Sequence, residues 1–304
     1  MSYQKYYVPD QSKYPIFMAF ALFLLVMGAS STINSLDDPE SNAVYVLYSG
    51  LAVLATTLFL WFRTVTKEHI AGLNSEQLQK SFVFGMGWFI FSEAMFFAVF
   101  FGSLYYIRAL VLPCLGGEAT ENELLWAGFE PTWPLMVTPD QAANGDAAQF
   151  LGPEQNMSFP GWDKILHWLP LWNTIILLSS SVTVHIAHTG IKNNDRKKFN
   201  LWLGITVFLG IIFLILQAEE YIEAYNHMGL TLSSGIYGTT FFMLTGFHGA
   251  HVTFGTIMLF VQWVRGLKGH FNDKDQFGFE AASWYWHFVD VVWVGLFLFV
   301  YILA

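Results

Sequence analysis

The chain has 304 residues, of which 54% are hydrophobic and 18% aromatic, whereas only 12% are charged. Soluble domains usually carry about 25% charged residues, so the composition excludes a disordered chain and an ordinary cytosolic enzyme and indicates a protein that folds in lipid. The 23 acidic residues outnumber the 14 basic ones, which excludes binding to nucleic acid, and the single Cys114 excludes an intrachain disulfide framework and a thiolate zinc site.

Seven apolar segments are long enough to cross a bilayer, which takes roughly 20 mostly apolar residues. The sequence therefore predicts an all-α integral membrane protein with seven transmembrane helices. The first segment is longer than the apolar run of a signal peptide, so we predict that it is an uncleaved helix. The seven predicted spans are about 16–33, 42–62, 82–112, 166–189, 199–222, 236–263 and 283–303.

The basic residues predict the orientation of the spans, because Lys and Arg collect in cytoplasmic connections. Twelve of the 14 basic residues fall in the N-terminal tail and in every second connection, while the other connections are acidic. The N-terminus is therefore predicted in the cytoplasm and the C-terminus outside. The twelve are Lys5, Lys13, Arg63, Lys67, Lys80, Lys192, Arg196, Lys197, Lys198, Arg265, Lys268 and Lys274.

A long periplasmic loop, 113–165, is predicted between the third and fourth spans. It holds six of the ten prolines and eight acidic residues, and loops of this length are either functional or mobile. Its apolar residues are too few and too irregular to predict a further domain. The chain is therefore predicted to form a single membrane domain, 1–304.

Seven ionisable side chains lie inside or beside the spans, where such groups cost free energy and mark candidate sites. Six of them form pairs three residues apart, so that each pair lies on one helix face. Such pairs can bind a metal inside a bundle or form hydrogen bonds between helices. The seven residues are Glu93, His185, His188, His248, His251, His287 and Asp290.

Depth in the membrane helps to separate these two interpretations. His251 lies about 18 Å from the cytoplasmic end of the sixth predicted span and His287 about 6 Å from that of the seventh, so one metal ion does not easily join them. His185 is closer in height to His287 and Asp290, and that trio stays open as a metal site. We predict interhelical hydrogen bonds and no metal.

Glu93 lies about 16 Å inside its predicted span, between aromatic residues, near the middle of the bilayer. A central acidic residue costs about 2.5–3.5 kcal/mol to insert, so Glu93 needs a partner or must be protonated. Two readings stay open: a neutral carboxyl that bonds to a neighbouring helix, and a group with a role in function.

Aromatic and basic residues meet near the cytoplasmic face at the ends of two spans. Trp61 and Arg63 end the second span, and Arg265 and His270 follow the sixth. Aromatic rings with Arg and Lys at this level suit lipid phosphates. The alternative is the generic basic flank of any membrane protein.

Four segments resemble subunit III of cytochrome c oxidase, in the haem–copper oxidase superfamily. The most specific lies within residues 245–297 and reads TGFHGAHVTFGTIML and then FGFEAASWYWHFVDVVWVGLF. The segments FIFSEAMFFAVFF and WNTIILLSSSVTVHIAH look like the third and fourth helices of the family, and WFRTVTKE is similar to its W-x-R-D-x-x-x-E segment, with Thr64 in the Asp place. The resemblance covers nearly the whole chain except most of the 113–165 loop.

The resemblance implies a subunit that carries no haem or copper, packs directly against subunit I and reaches subunit II and cytochrome c through the complex. It implies a V-shaped bundle of two plus five helices whose cleft holds phospholipid, and a role in sustaining proton uptake and turnover. Glu93 matches the buried carboxyl of the family, and Trp61, Arg63, Arg265 and His270 match its lipid headgroup positions. No residue of this chain is expected to be catalytic.

Two departures limit the resemblance. Many relatives carry histidines before the third helix, where this chain reads GLNSE at 72–76, and the 113–165 loop looks longer than in mitochondrial members, as in some bacterial ones. Seven spans favour a cytochrome c oxidase, since the quinol oxidases typically lack the first two helices in this subunit.

Two alternatives to this function stay open. A membrane metal enzyme of the desaturase kind uses around eight histidines near one membrane face, whereas the nine histidines here fall on both faces and in the core. A proton or ion transporter using Glu93 is the second alternative.

Overall fold

The computed structural model describes residues 11–35, 41–73, 75–118, 126, 128–271 and 276–304. Seven helices in these ranges are long and apolar enough to cross a membrane, which confirms the predicted all-α membrane fold. They are α1 (Tyr14–Asn34), α2 (Ala43–Ile70), α3 (Glu76–Tyr106), α4 (Leu169–Lys192), α5 (Arg196–His227), α6 (Gly235–Leu267) and α7 (Phe277–Leu296). Wider π-helical turns extend α3 beyond Tyr106, and the turns Phe297–Ile302 extend α7.

Several helices run past the apolar segments that predicted them. The helix α2 ends at Ile70 rather than near residue 62, and α7 begins at Phe277 rather than near residue 283. The added turns carry charged and polar residues, which the hydropathy pattern leaves out of a span. Backbone hydrogen bonds continue the helix into the headgroup layer regardless of side-chain polarity.

The described chain separates into two compact units, residues 1–84 and 85–304. In the first unit, α1 and α2 form a closely packed hairpin. A Cβ at Gly28 would meet the backbone of Leu47, and one at Gly50 would lie 2.7 Å from the backbone nitrogen of Leu25. Two reciprocal glycines thus let the helix backbones touch, as small residues do in membrane helix pairs.

The second unit is built around α7, the most buried of the seven spans. Trp286 and Trp293 are fully buried on this helix, and their indole nitrogens donate to Ser180 Oγ (2.9 Å) and Thr174 Oγ1 (3.0 Å) of α4. Each buried N–H is therefore satisfied by a hydroxyl on the neighbouring helix, as buried donors require. The hydroxyls of α4 fix the rotation of α7.

The outer segment between α3 and α4 is tied to the ends of the other helices. Glu154 N and Gln155 N donate to Met228 O, and Phe159 N donates to Tyr301 O. Met157 N donates to the hydroxyl of Tyr237 at 3.0 Å. Residues 152–159 therefore form a fixed cap over one end of the bundle, where α5 and α7 end and α6 begins, although the sequence predicted only a loop.

Asp140 organises the region before this cap. Its carboxylate accepts from Phe150 N (3.0 Å), Asn144 Nδ2 (2.7 Å) and Gln149 N (2.7 Å). These donors, with the Phe150 amide first, hold the pKa of the Asp140 carboxyl below its ordinary value. The ionised carboxylate therefore favours the folded form of this segment.

Replacing Gly28 by Leu is expected to destabilise the α1–α2 hairpin by about 1–3 kcal/mol, because the new side chain must push the two backbones apart. Thermal unfolding of the purified chain in detergent measures the change. Val26→Leu, on the exposed side of the same helix, is the matched control. Equal unfolding temperatures for both variants would show that the glycine contact does not hold the hairpin.

The Asp140 contacts predict a pH dependence. Because the folded-state pKa is lowered, the stabilisation is complete above about pH 4 and is lost as pH falls through the lowered value. Hydrogen exchange of the Gln149 and Phe150 amides, normalised to intrinsic rates, should accelerate in acid. Asp140→Asn should accelerate it already at pH 7, and Glu130→Gln should not; a flat profile would contradict this role.

Candidate functional site

Glu93 of α3 and His251 of α6 form a hydrogen-bonded pair. Glu93 lies 17 residues after the start of α3, and His251 lies 16 residues before the end of α6. At 1.5 Å per residue both lie about 25 Å along the helix from those ends, further than the sequence predicted, because both helices extend beyond the predicted spans. Glu93 Oε2 and His251 Nε2 are 2.8 Å apart.

The backbone fixes where the protons of this pair lie. His251 Nδ1 is 2.6 Å from the carbonyl oxygen of Phe247, which can only accept, so Nδ1 carries a proton. A neutral His251 therefore presents an unprotonated Nε2 to the carboxyl. The pair then holds one shared proton, as a neutral acid bonded to a neutral imidazole or as a carboxylate bonded to an imidazolium, and its net charge is zero in both forms.

Aromatic rings enclose the imidazole of this pair. The ring centroids of Phe97 and Phe96 lie 4.9 and 5.9 Å from that of His251, and the ring of Tyr285 stacks at 6.5 Å. The side chain of His251 is 12% exposed and that of Glu93 is 22% exposed. Glu93 is therefore half-buried in this chain by itself.

His248, one turn from His251, has no exposed surface. It lies against the rings of Trp293 (5.1 Å between centroids) and Phe213 (6.0 Å). Neither ring nitrogen has a hydrogen-bond partner among the described residues. An aromatic box rather than a hydrogen bond between helices therefore holds His248.

Two other polar contacts join α4 to α7. His188 Nε2 lies 3.3 Å from Glu280 Oε1, and His287 Nδ1 lies 2.8 Å from Ser181 Oγ. The Asp290 carboxylate is 3.7 Å from the same His287 nitrogen. These contacts place His188 and His287 in interhelical hydrogen bonds, with partners that the sequence did not identify.

The residues of the possible metal site do not form a cluster. Over the described ranges, no three side chains of the His, Cys, Asp or Glu type gather closely enough to hold a metal. His185 is exposed on α4 and does not join His287 and Asp290. The contacts of this region are those of helix packing.

The candidate lipid residues lie at two positions, one in each unit. In the first unit, Trp61 stacks on Tyr14 with 6.4 Å between centroids, and the Tyr14 hydroxyl lies 2.8 Å from Thr64 Oγ1. Arg63 is exposed beside them. The start of α1 thus braces the end of α2, and a guanidinium projects at the predicted headgroup level.

In the second unit, Arg265 is half-buried at the end of α6. Its Nη1 donates to Gln262 Oε1 at 3.0 Å, and its Cζ lies 4.7 Å from the centroid of the Phe271 ring. A Cβ at Gly278 would lie 2.7 Å from Arg265 Nη1. The amide of His270 donates to the Arg265 carbonyl at 3.1 Å, so the two predicted lipid residues sit on one short turn with a positioned guanidinium.

Glu220 is a further buried ionisable residue, which the sequence pattern did not single out. Glu220 is buried on α5, and its Oε1 accepts from the Tyr301 hydroxyl at 2.8 Å. Phe213, Gln217 and Ala224 are buried on the same helix face. That helical spacing was the available signal, since Glu219 and Glu223 are exposed and point elsewhere.

Known proteins match this chain along almost its full length. The sequence pattern of the family described as "Cytochrome c oxidase subunit III" matches residues 4–121 and 165–304. The chain is 37% identical over 297 residues to "Cytochrome c oxidase subunit 3" of Phoca vitulina, covering 97% of this chain and 96% of that protein. It is 36% identical over 299 residues to the protein of that name from Bos taurus and 35% identical over 297 residues to that from Homo sapiens, with the same coverage.

Glu93→Gln tests the form of the shared proton. If the acid is neutral, the Gln amide donates to the same Nε2 and stability should stay close to that of the unchanged protein. Glu93→Leu, the matched control, removes the donor and should cost about 1–3 kcal/mol. Thermal unfolding in detergent measures both.

Infrared spectroscopy provides an independent readout of the same pair. The unchanged protein should show a protonated-carboxyl stretch that Glu93→Gln removes. A Gln variant that unfolds as readily as the Leu variant, without such a band, would identify a carboxylate and imidazolium pair instead.

Proposed function

Because the chain belongs to the cytochrome c oxidase subunit III family, we propose that it is a subunit, without a redox centre of its own, of a proton-pumping terminal oxidase. This complex oxidises cytochrome c and reduces oxygen to water. The family match carries the proposal, since it spans both sides of the outer segment and includes all seven membrane-crossing helices. The chain is a multi-pass membrane protein and part of an oxidoreductase complex.

The proposed contribution of the chain is physical. It packs directly against subunit I, shares the complex with subunit II and cytochrome c, and sustains proton uptake and catalytic lifetime there. Large apolar side chains are exposed along its helices, as expected of surfaces that meet lipid or other membrane subunits. We place it in a bacterial inner membrane, and the distribution of basic residues supports an orientation with the N-terminus in the cytoplasm.

Bound phospholipid is the second part of the proposal. Arg63 beside Trp61 in the first unit, and Arg265 beside His270 in the second, bind headgroup phosphates at the cytoplasmic level. A guanidinium suits phosphate because its N–H groups form a planar fork. Phe271 and Gln262 hold the Arg265 fork in place, which reduces the entropy lost on binding.

The Glu93–His251 pair lets the second unit keep polar groups in the membrane without net charge. One observation favours a second candidate function, proton transport, because the pair holds one transferable proton. Proton flux through liposomes that contain this chain alone would support transport. Flux only in liposomes that contain the whole oxidase supports the subunit proposal.

Co-purification provides the direct test. An affinity tag on this chain, with extraction in mild detergent, should recover a haem-containing partner and cytochrome c oxidase activity. Recovery of the chain without any haem protein would overturn the proposal. A visible redox spectrum from the purified single chain would overturn the statement that it has no redox centre.

Arg265→Ala is expected to lower the tightly bound phospholipid of the complex and to shorten its catalytic lifetime several-fold, because a positioned phosphate ligand is lost. Mass spectrometry of the lipids and the decay of turnover measure these effects. Lys268→Ala removes the same charge from an exposed position three residues on and is the control. Unchanged lipid content in Arg265→Ala, or equal losses in both variants, would contradict the lipid site.

A further inference from the structure

One face of α7 is exposed along most of the length of this otherwise buried helix. Trp284, Val291, Val294 and Leu298 are exposed on it, and the side chain of His287, which lies among them, is 41% exposed. Their spacing alternates between three and four residues, which places them on one stripe of the helix. The stripe has the pattern of a seam that packs against another helix.

The neighbouring helix α4 provides a second wall. Leu178, Val182 and His185 are exposed on it at the same alternating spacing. Ser181, among them, lies within hydrogen-bond distance of His287 and so joins the two walls at their base. We name the surface formed by Leu178, Val182 and His185 of α4 and by Trp284, His287 and Val291 of α7 the α4–α7 groove.

The groove contains polar groups at membrane depth. His287 lies ten residues into α7, about 15 Å from its cytoplasmic end. Its Nδ1 faces Ser181, and in the described part of the chain its Nε2 has no hydrogen-bond partner; nor does the exposed His185 have one there. Hydrocarbon cannot satisfy these nitrogens, and leaving them unsatisfied costs free energy.

The lipid-facing pattern is visible elsewhere in the same unit. On α5 the exposed side chains between residues 201 and 218 are Leu201, Phe208, Ile211, Ile215 and Ala218, and every one is apolar. Acyl chains can cover that face without leaving a polar side chain unsatisfied. The α4–α7 groove differs because its apolar stripe is interrupted by two imidazoles, that of His185 about 10 Å from the Lys192 end of α4 and that of His287 about 15 Å from the Phe277 end of α7.

We propose that the α4–α7 groove seats a transmembrane helix of another subunit of the complex, and that this helix carries a hydroxyl, amide or carboxyl side chain that bonds to His287 Nε2. The inference rests on the proposed function, since it requires that the chain is part of a larger membrane complex. The apolar positions of the stripe pack against the incoming helix, and the imidazoles set its register, as polar groups do in membrane helix pairs.

Site-specific photo-crosslinking in the intact complex tests the occupant. The photoreactive p-benzoylphenylalanine replaces Val291, which is 71% exposed in the groove, or Phe208, which is 62% exposed on α5 and serves as the control. Position 291 should form an adduct with another subunit, while position 208 should label lipid. Adducts at 291 with lipid only, with this chain itself or with a second copy of it would overturn the groove proposal.

Substitutions separate a role in docking from a role in folding. His287→Leu should lower the retention of this chain in the complex several-fold under increasing detergent, and His287→Gln should restore much of it, because an amide can still bond outward. Ser181→Ala removes the contact within the chain and should leave retention near that of the unchanged complex. Normal retention of His287→Leu would overturn the proposal.

The same experiments distinguish the two levels of inference. If the tagged chain recovers no haem-containing partner at all, the proposed function fails before the groove is tested. If it recovers the partner but position 291 does not crosslink to another subunit, the groove proposal fails and the proposed function stands.

Discussion

Hydrocarbon cannot form hydrogen bonds, and the arrangement of the second unit follows from that constraint. Many polar side chains within the spans therefore bond to a neighbouring helix or lie among aromatic rings. The indole N–H groups of Trp286 and Trp293 donate to hydroxyls of α4, and the Glu220 carboxyl accepts a hydrogen bond from the Tyr301 hydroxyl. These bonds fix the rotation of α7 and thereby determine which of its faces is exposed in the α4–α7 groove.

Tyr301 connects this interior to the outer segment. Its hydroxyl donates to the buried carboxyl of Glu220, while its carbonyl accepts from Phe159 of the cap. The segment 122–164 lies outside the family match, yet its cap is bonded to helices that lie inside that match. A segment outside the family match is thus held in place by groups on helices inside it.

Much of the fold follows from the sequence, and the limits have physical causes. Apolar runs predict the number of spans because insertion depends on summed hydropathy, but they miss the helix ends at Ile70 and Phe277, where charged and polar turns continue into the headgroup layer. The sequence predicted depths of about 16 Å for Glu93 and about 18 Å for His251, which differ by less than one helical turn. Their pairing was missed because periodicity gives the face of a helix and not its neighbour, and Glu220 was missed because two exposed glutamates flank it.

The shared proton of Glu93 and His251 also has an electrical consequence. Transfer between the two side chains moves the proton across the 2.8 Å that separates Glu93 Oε2 from His251 Nε2. Even if the whole displacement lay along the normal of a 30 Å layer, a potential of 100 mV would change its free energy by only about 0.2 kcal/mol. This exchange is therefore nearly insensitive to voltage, and an energised membrane leaves the position of the proton within the pair almost unchanged.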